Sequence, residues 1–130
     1  MLINKMHKLA ILMSRIIDKS ITRHKHVAAI IKNGKIIKIR VNNPDLHAET
    51  QVIKSYSNPD IVFVIRFENG IFKNSKPCID CLNNLKKNNV KKIAFSTGNT
   101  NLPFVVQNIK YVNTEWKSQL RRNMISRFSK

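Results

Sequence analysis

The run IVFVIRF at residues 61–67 is apolar on both of its faces up to Arg66. A strand with one wet face alternates apolar and polar residues, so a continuous run reads as a strand covered on both sides. It demands helices above and below the sheet that contains it. The next elements supply one: a helix over about 78–88, then VKKIAFST at 90–97 as a second strand. Strand, helix and strand in that order form a parallel pair with a crossover. Upstream, HVAAIIKNGKIIKIRVN reads as two strands joined at Asn33-Gly34, because a type I′ turn needs positive φ at both central residues. Asn42, Asn43 and Pro44 end the second strand, and a short helix over 47–56 stops at Ser57, Asn58 and Pro59. Residues 68–77 read as a loop, and 103–112 hold a further short strand, either PFVV or IKYV. At the front, Ile3, Met6, Leu9, Ala10, Met13, Ile16 and Ile17 share one face of a helix over 3–20. At the back, Thr114 caps a basic helix over about 114–128, with Trp116, Leu120, Met124 and Phe128 in i+4 steps. The expected fold is α/β, a three-layer α-β-α sandwich with a central mixed sheet of about five strands, in a single domain over 1–130.

Charge is the next constraint. The chain carries 24 Lys and Arg against 7 Asp and Glu. Residues 1–40 hold ten basic and one acidic residue, and 110–130 hold six and one, whereas 41–109 are nearly balanced at eight to five. Such a surface attracts polyanions, nucleotides or anionic interfaces, although lysine also serves as a plain solubilising residue. The N-terminal apolar run is broken by Arg15 and lacks a small-residue cleavage site, so it reads as an amphipathic helix and not as a leader. No stretch is long enough to span a bilayer, and no membrane partner is expected. Two cysteines make no disulfide framework, which fits a reducing, intracellular setting.

Both cysteines lie in SKPCIDC, residues 75–81. Pro77 suits the first turn of a helix or the position before it, and Cys78 and Cys81, three apart, share a face. A helix N-terminus favours thiolate over thiol. Two thiolates are too few for tetrahedral zinc. Of the four histidines, His7 reads as a solvent-facing residue, while His24 and His26 lie among basic residues and read as surface or nucleotide-contacting groups. His47 opens the triplet His47-Ala48-Glu49 at the start of a helix. His47, Cys78 and Cys81 as three ligands leave a fourth position open for water, the mark of a catalytic zinc, with Glu49 beside it. Alone, Glu49 would read as an acid in a first helical turn, favoured by the helix dipole. H-x-E followed by P-C-x-x-C is the signature of the zinc-dependent deaminases. A thiol redox protein would leave the HAE triplet unexplained.

On these residues the chain resembles the cytidine/deoxycytidylate deaminase superfamily over residues 1 to about 98, and is similar to the small deaminase-like proteins of large DNA viruses. TRHKHVAAIIKNGKIIKIRVNN is similar to the family's first hairpin and NSKPCIDCLNNLKKNNVKKIAFST to its second motif and following strand. The resemblance implies one Zn2+, a homo-oligomer, and a cytoplasmic, virus-encoded or virion-packaged protein. It also implies substrate contacts at Asn42, which would meet the ribose, and at Ala48 and Pro77. The chain departs from the pattern in two places: Arg40-Val41 stand where many members have glycine before the asparagine, and Thr50 stands where an apolar residue is usual. The implied activity is hydrolytic deamination of a cytosine nucleotide or nucleoside to the uracil form with release of ammonia. In it zinc acidifies a water, and Glu49 carries protons to the ring nitrogen and the leaving amine.

Three substrate classes stay open: a free nucleotide whose phosphate meets Arg23, Lys25 or Arg40, a free nucleoside, or a polynucleotide tracked by the basic ends. The motif residues do not separate cytosine from adenine. The rival reading is a catalytically weak or inactive deaminase fold acting as a basic nucleic-acid-binding or virion-associated protein. The charge favours the rival, and the complete HAE triplet favours the enzyme.

Overall fold

The first hairpin forms where backbone chemistry allows it. In a computed structural model describing residues 3–17, 25–42, 47–53 and 59–112, β1 (His26–Lys32) turns into β2 (Lys35–Val41) at Asn33 and Gly34, with φ of 53° and 75°. Both residues occupy the left-handed region that the tight turn requires. The same chemistry recurs at Asn69 and Gly70, φ 53° and 76°. Here the sequence reading of a loop over 68–77 is corrected: β3 (Ile61–Glu68) turns into β4 (Ile71–Lys73), with Phe67 opposite Phe72. Three residues are too few to show alternation, so the Asn-Gly pair was the only available signal.

As the apolar run requires, β3 lies inside the sheet, antiparallel to β1 on one side and parallel to β5 (Lys92–Ser96) on the other. The crossover between the parallel strands is α3 (Ile79–Lys87), whose last turn carries Lys86 and Lys87 at the negative end of the helix dipole. β6 (Phe104–Asn108) closes the order β2-β1-β3-β5-β6, with β4 attached to β3. Of the two segments left open by sequence, the FVV side makes the strand. The connection 97–103 is too short for a crossover, so β6 runs antiparallel, starting with Ser96 opposite Phe104. Ile109–Tyr111 instead winds into a 3₁₀ turn.

Helices cover both faces, giving the three layers. α1 (Ile3–Ser14) lays Met6, Leu9, Ala10 and Met13 on Val27, Ala29, Ile31, Phe63 and Ile65. It ends six residues before the expected position 20. The Ser14 hydroxyl donates to the Ile11 carbonyl at 2.7 Å, and Arg15 and Ile16 bond back only three residues, which tightens and stops the helix. His7, expected to face solvent, is exposed, but its ring sets edge-on to Phe72 and Phe104 with centroids 6.1 and 5.9 Å away. On the other face α2 (Ala48–Ile53) and α3 bury Ala48, Val52, Leu82 and Leu85 against Ala28, Ile30, Val62 and Val64. Alternate residues of β1 and β3 thus feed two separate cores. The helix expected over 114–128, with Thr114, Trp116, Leu120, Met124 and Phe128, lies outside the described residues, as do Arg23, His24 and the expected end of the second helix at Tyr56. No helix among the described residues is long and apolar enough to cross a membrane.

Candidate metal centre

Two helix starts face each other in the core that α2 and α3 form on the sheet. α2 follows β2, and Gln51 anchors it there: its amide donates to the Val41 carbonyl at 2.7 Å. His47 stands immediately before α2, its carbonyl accepting from the Gln51 N–H at 3.1 Å. Opposite, Pro77 is buried and Cys78 caps α3 from an extended conformation. Its carbonyl accepts the Leu82 N–H at 2.9 Å, which puts Cys81 in the first turn on the same side. Packing of Ala48 and Val52 near Leu82 and Leu85 brings the two starts together.

Three side chains converge there. His47 Nδ1 lies 2.8 Å from Cys81 Sγ and 3.6 Å from Cys78 Sγ. The ligand atoms of His47, Cys78 and Cys81 all lie within 4.8 Å of one another, a group able to hold a metal ion. Both cysteines are buried and unbridged. A tetrahedral zinc about 2.05 Å from nitrogen and about 2.3 Å from sulfur would hold the two atoms about 3.6 Å apart. Cys78 already stands at that separation, and Cys81 needs to withdraw by less than an ångström. The donor set of two soft sulfurs and one imidazole suits zinc.

The electrostatics match a site prepared for a cation. A hydrogen bond from Cys81, and then one from His47, draw the Cys78 thiol down to about 4 against the opposing effect of burial. The same Cys78 contact and burial push the Cys81 thiol up. His47 is raised chiefly by its bond to Cys78. Its ring is nearer Cys81, so the geometry and the electrostatics name different sulfurs of one coupled pair, and both lie within reach of Nδ1. Glu49 is buried at 5% exposure, and burial is the first cause that raises its carboxyl above the ordinary range. It also interacts with the Cys81 thiol. Thr50, which stands where the resemblance has an apolar residue, places its hydroxyl 3.9 Å from Cys81 Sγ. A polar residue where an apolar one is usual was the signal for it.

Asn42, Ala48 and Pro77 were the expected substrate contacts, and all three are buried. Asn42 is held to β1: its side-chain oxygen accepts the His26 N–H at 3.0 Å and its own N–H donates to the His26 carbonyl at 3.1 Å. The His26 ring reaches Ser75 Oγ at 2.9 Å, and the Ser75 N–H donates to the Ser96 carbonyl at 2.8 Å. His26, read from sequence as a surface or nucleotide-contacting group, therefore links the first hairpin to the loop that carries the cysteines. Lys25 donates its backbone N–H to Glu68 at 3.4 Å, and Arg40 is exposed.

Sheet topology, helices on both faces and the His-Cys-Cys group together define a cytidine deaminase-like α/β fold. Among solved structures, the chain is similar to a 1.6 Å crystal structure of cytidine deaminase from Burkholderia pseudomallei. Its TM-score is 0.59 at 16% sequence identity, covering 79% of this chain and 91% of that one. At that identity the likeness is one of fold. No protein-family model and no curated protein sequence matches the chain.

Proposed function

We propose that this protein is a zinc-dependent hydrolytic deaminase that converts the cytosine of a nucleoside or nucleotide to uracil and releases ammonia. The observation that carries the reading is the buried Glu49 carboxyl beside a three-ligand cluster. A structural zinc is closed by four protein ligands and needs no adjacent acid. His47, Cys78 and Cys81 hold the ion, which when bound supplies an acidified water and Lewis-acid polarisation. Glu49 has a raised proton affinity in its dry setting. It takes one proton from water and delivers it to the ring nitrogen, then takes the second proton from the same oxygen and passes it to the departing amine, a general acid-base relay. Atoms balance as cytosine plus water giving uracil plus ammonia. Asn42, Ala48 and Pro77 are assigned to substrate contact in this reading. The named activity of the structural neighbour supports the same class.

The test pairs metal content with ammonia release on cytidine, deoxycytidine, their monophosphates, single-stranded DNA and adenosine. The wild type binds one zinc and releases ammonia from a cytosine substrate. Glu49→Gln keeps the zinc and loses about 10²- to 10⁴-fold in turnover. Normal turnover in that variant, or none in the wild type on any substrate, overturns the reading.

A further inference from the structure

The end of the sheet remote from the cysteine loop carries a row of lysines. Lys32 and Lys35 stand directly opposite each other where the β1–β2 ladder ends. Lys92 opens β5, flanked by Ile61 and Asn108. Lys91 precedes it and accepts the Ile109 N–H at 3.0 Å, which brings the 3₁₀ turn with Lys110 alongside. From α1, Lys5 lies along the hairpin turn, its Cε 3.4 Å from where a Cβ at Gly34 would stand. All six are exposed. At about 4.8 Å per strand, the row from β2 to β6 is roughly 19 Å long.

This arrangement does not serve the isolated fold. Like charges directly opposite in a sheet are destabilising. Asp60 is the one described acid that adjoins the row, and it is engaged by Lys91 at 3.8 Å with both side chains exposed. A polyanion laid along the row would relieve the repulsion. Next to Lys110, the ring of Tyr111 is 74% exposed and 5.0 Å from the Lys110 ammonium. Ammonium groups spaced along an edge, with a flat ring open beside them, suit single-stranded nucleic acid: the first bind phosphates, the second stacks a base. Of the exposed aliphatic side chains among the described residues that would anchor a lipid surface, Ile37 on β2 is close to the row in sequence, while Ile11 and Leu12 lie beyond Lys5 toward the end of α1, Ile71 on β4 and Leu102 in the connection before β6, so they form no apolar patch along it.

We propose that this lysine rim, with Tyr111, binds single-stranded nucleic acid. Ser75, in the loop leading to Cys78, bonds to Ser96 at the far end of β5, so the rim and the metal centre occupy opposite ends of the sheet, and the proposal stands whether or not the deaminase reading does. Binding of a labelled oligothymidylate is followed by fluorescence anisotropy across a salt series. The triple substitution Lys32→Gln, Lys35→Gln and Lys92→Gln lowers the log-log salt slope by about 2, at about 0.7 per phosphate contact. The triple Lys8→Gln, Arg15→Gln and Lys73→Gln removes the same charge elsewhere and leaves the slope nearly unchanged. Tyr111→Ala weakens binding between about fivefold and about a hundredfold without changing the slope, and Tyr111→Trp restores it. Equal loss of slope in both triples, absence of binding by the wild type, or binding to phosphatidylserine vesicles but not to the oligonucleotide overturns the proposal.

Discussion

Removing the metal should loosen the protein by an amount set by chain length. His47 is separated from Cys78 and Cys81 by 31 and 34 residues. An ion held by all three closes a loop of that size. Treated as a cross-link, a 34-residue closure lowers the entropy of the unfolded chain by an amount worth about 3.8 kcal/mol at 25 °C. For a domain of this size that corresponds to roughly 10–15 °C in Tm. The effect is concentrated on α2, whose six residues are too few to persist unaided. Calorimetry of chelator-dialysed protein against protein with one equivalent of zinc measures it. Cys78→Ser and His47→Ala should each abolish most of the zinc-dependent rise while leaving the metal-free Tm close to that of the wild type. A rise below about 2 °C, or a full rise in His47→Ala, would refute both the ligand set and the cross-link account.

Two further outcomes follow from burial. Because burial raises the Glu49 pKa, the metal-free fold holds that proton more tightly than the unfolded chain does. Its stability contribution is present at acid pH and lost as pH rises from the ordinary carboxylate range through the folded value, so Glu49→Gln should flatten the fall of metal-free Tm with rising pH; a steeper fall in the variant contradicts this. Leu85 is fully buried between α3 and the sheet, and Leu85→Ala should cost about 2–5 kcal/mol in urea unfolding with an unchanged m-value.

The chemistry of this chain was more legible in sequence than its smaller geometry. HAE and PCxxC could be joined across thirty residues because a soft metal needs that donor set, whatever the path between them. Asn33-Gly34 marked a hairpin because flanking strands of seven residues made it visible. The identical pair at 69–70 was passed over because the strand after it is only three residues long. β6 could be fixed only by its partner: Phe104–Asn108 and the segment after it are both apolar enough, and the ladder on β5 decides between them. The His26–Ser75 bond joins positions 49 apart, and no local pattern announces it. Burial of Glu49 likewise comes from packing two helices that sequence shows only singly.

The anchoring of α2 has a consequence for how the site varies. Gln51 ties that helix to Val41, the last residue of the outermost strand, and Asn42 fastens the same strand end to β1. The carboxyl that would move protons is thus registered from the border of the sheet as well as from the inner strands on which Ala48 and Val52 rest. A change in the pleat or pairing of that border strand reaches the acid through the Gln51 amide, so substitutions in β2 would shift the carboxyl without touching a ligand.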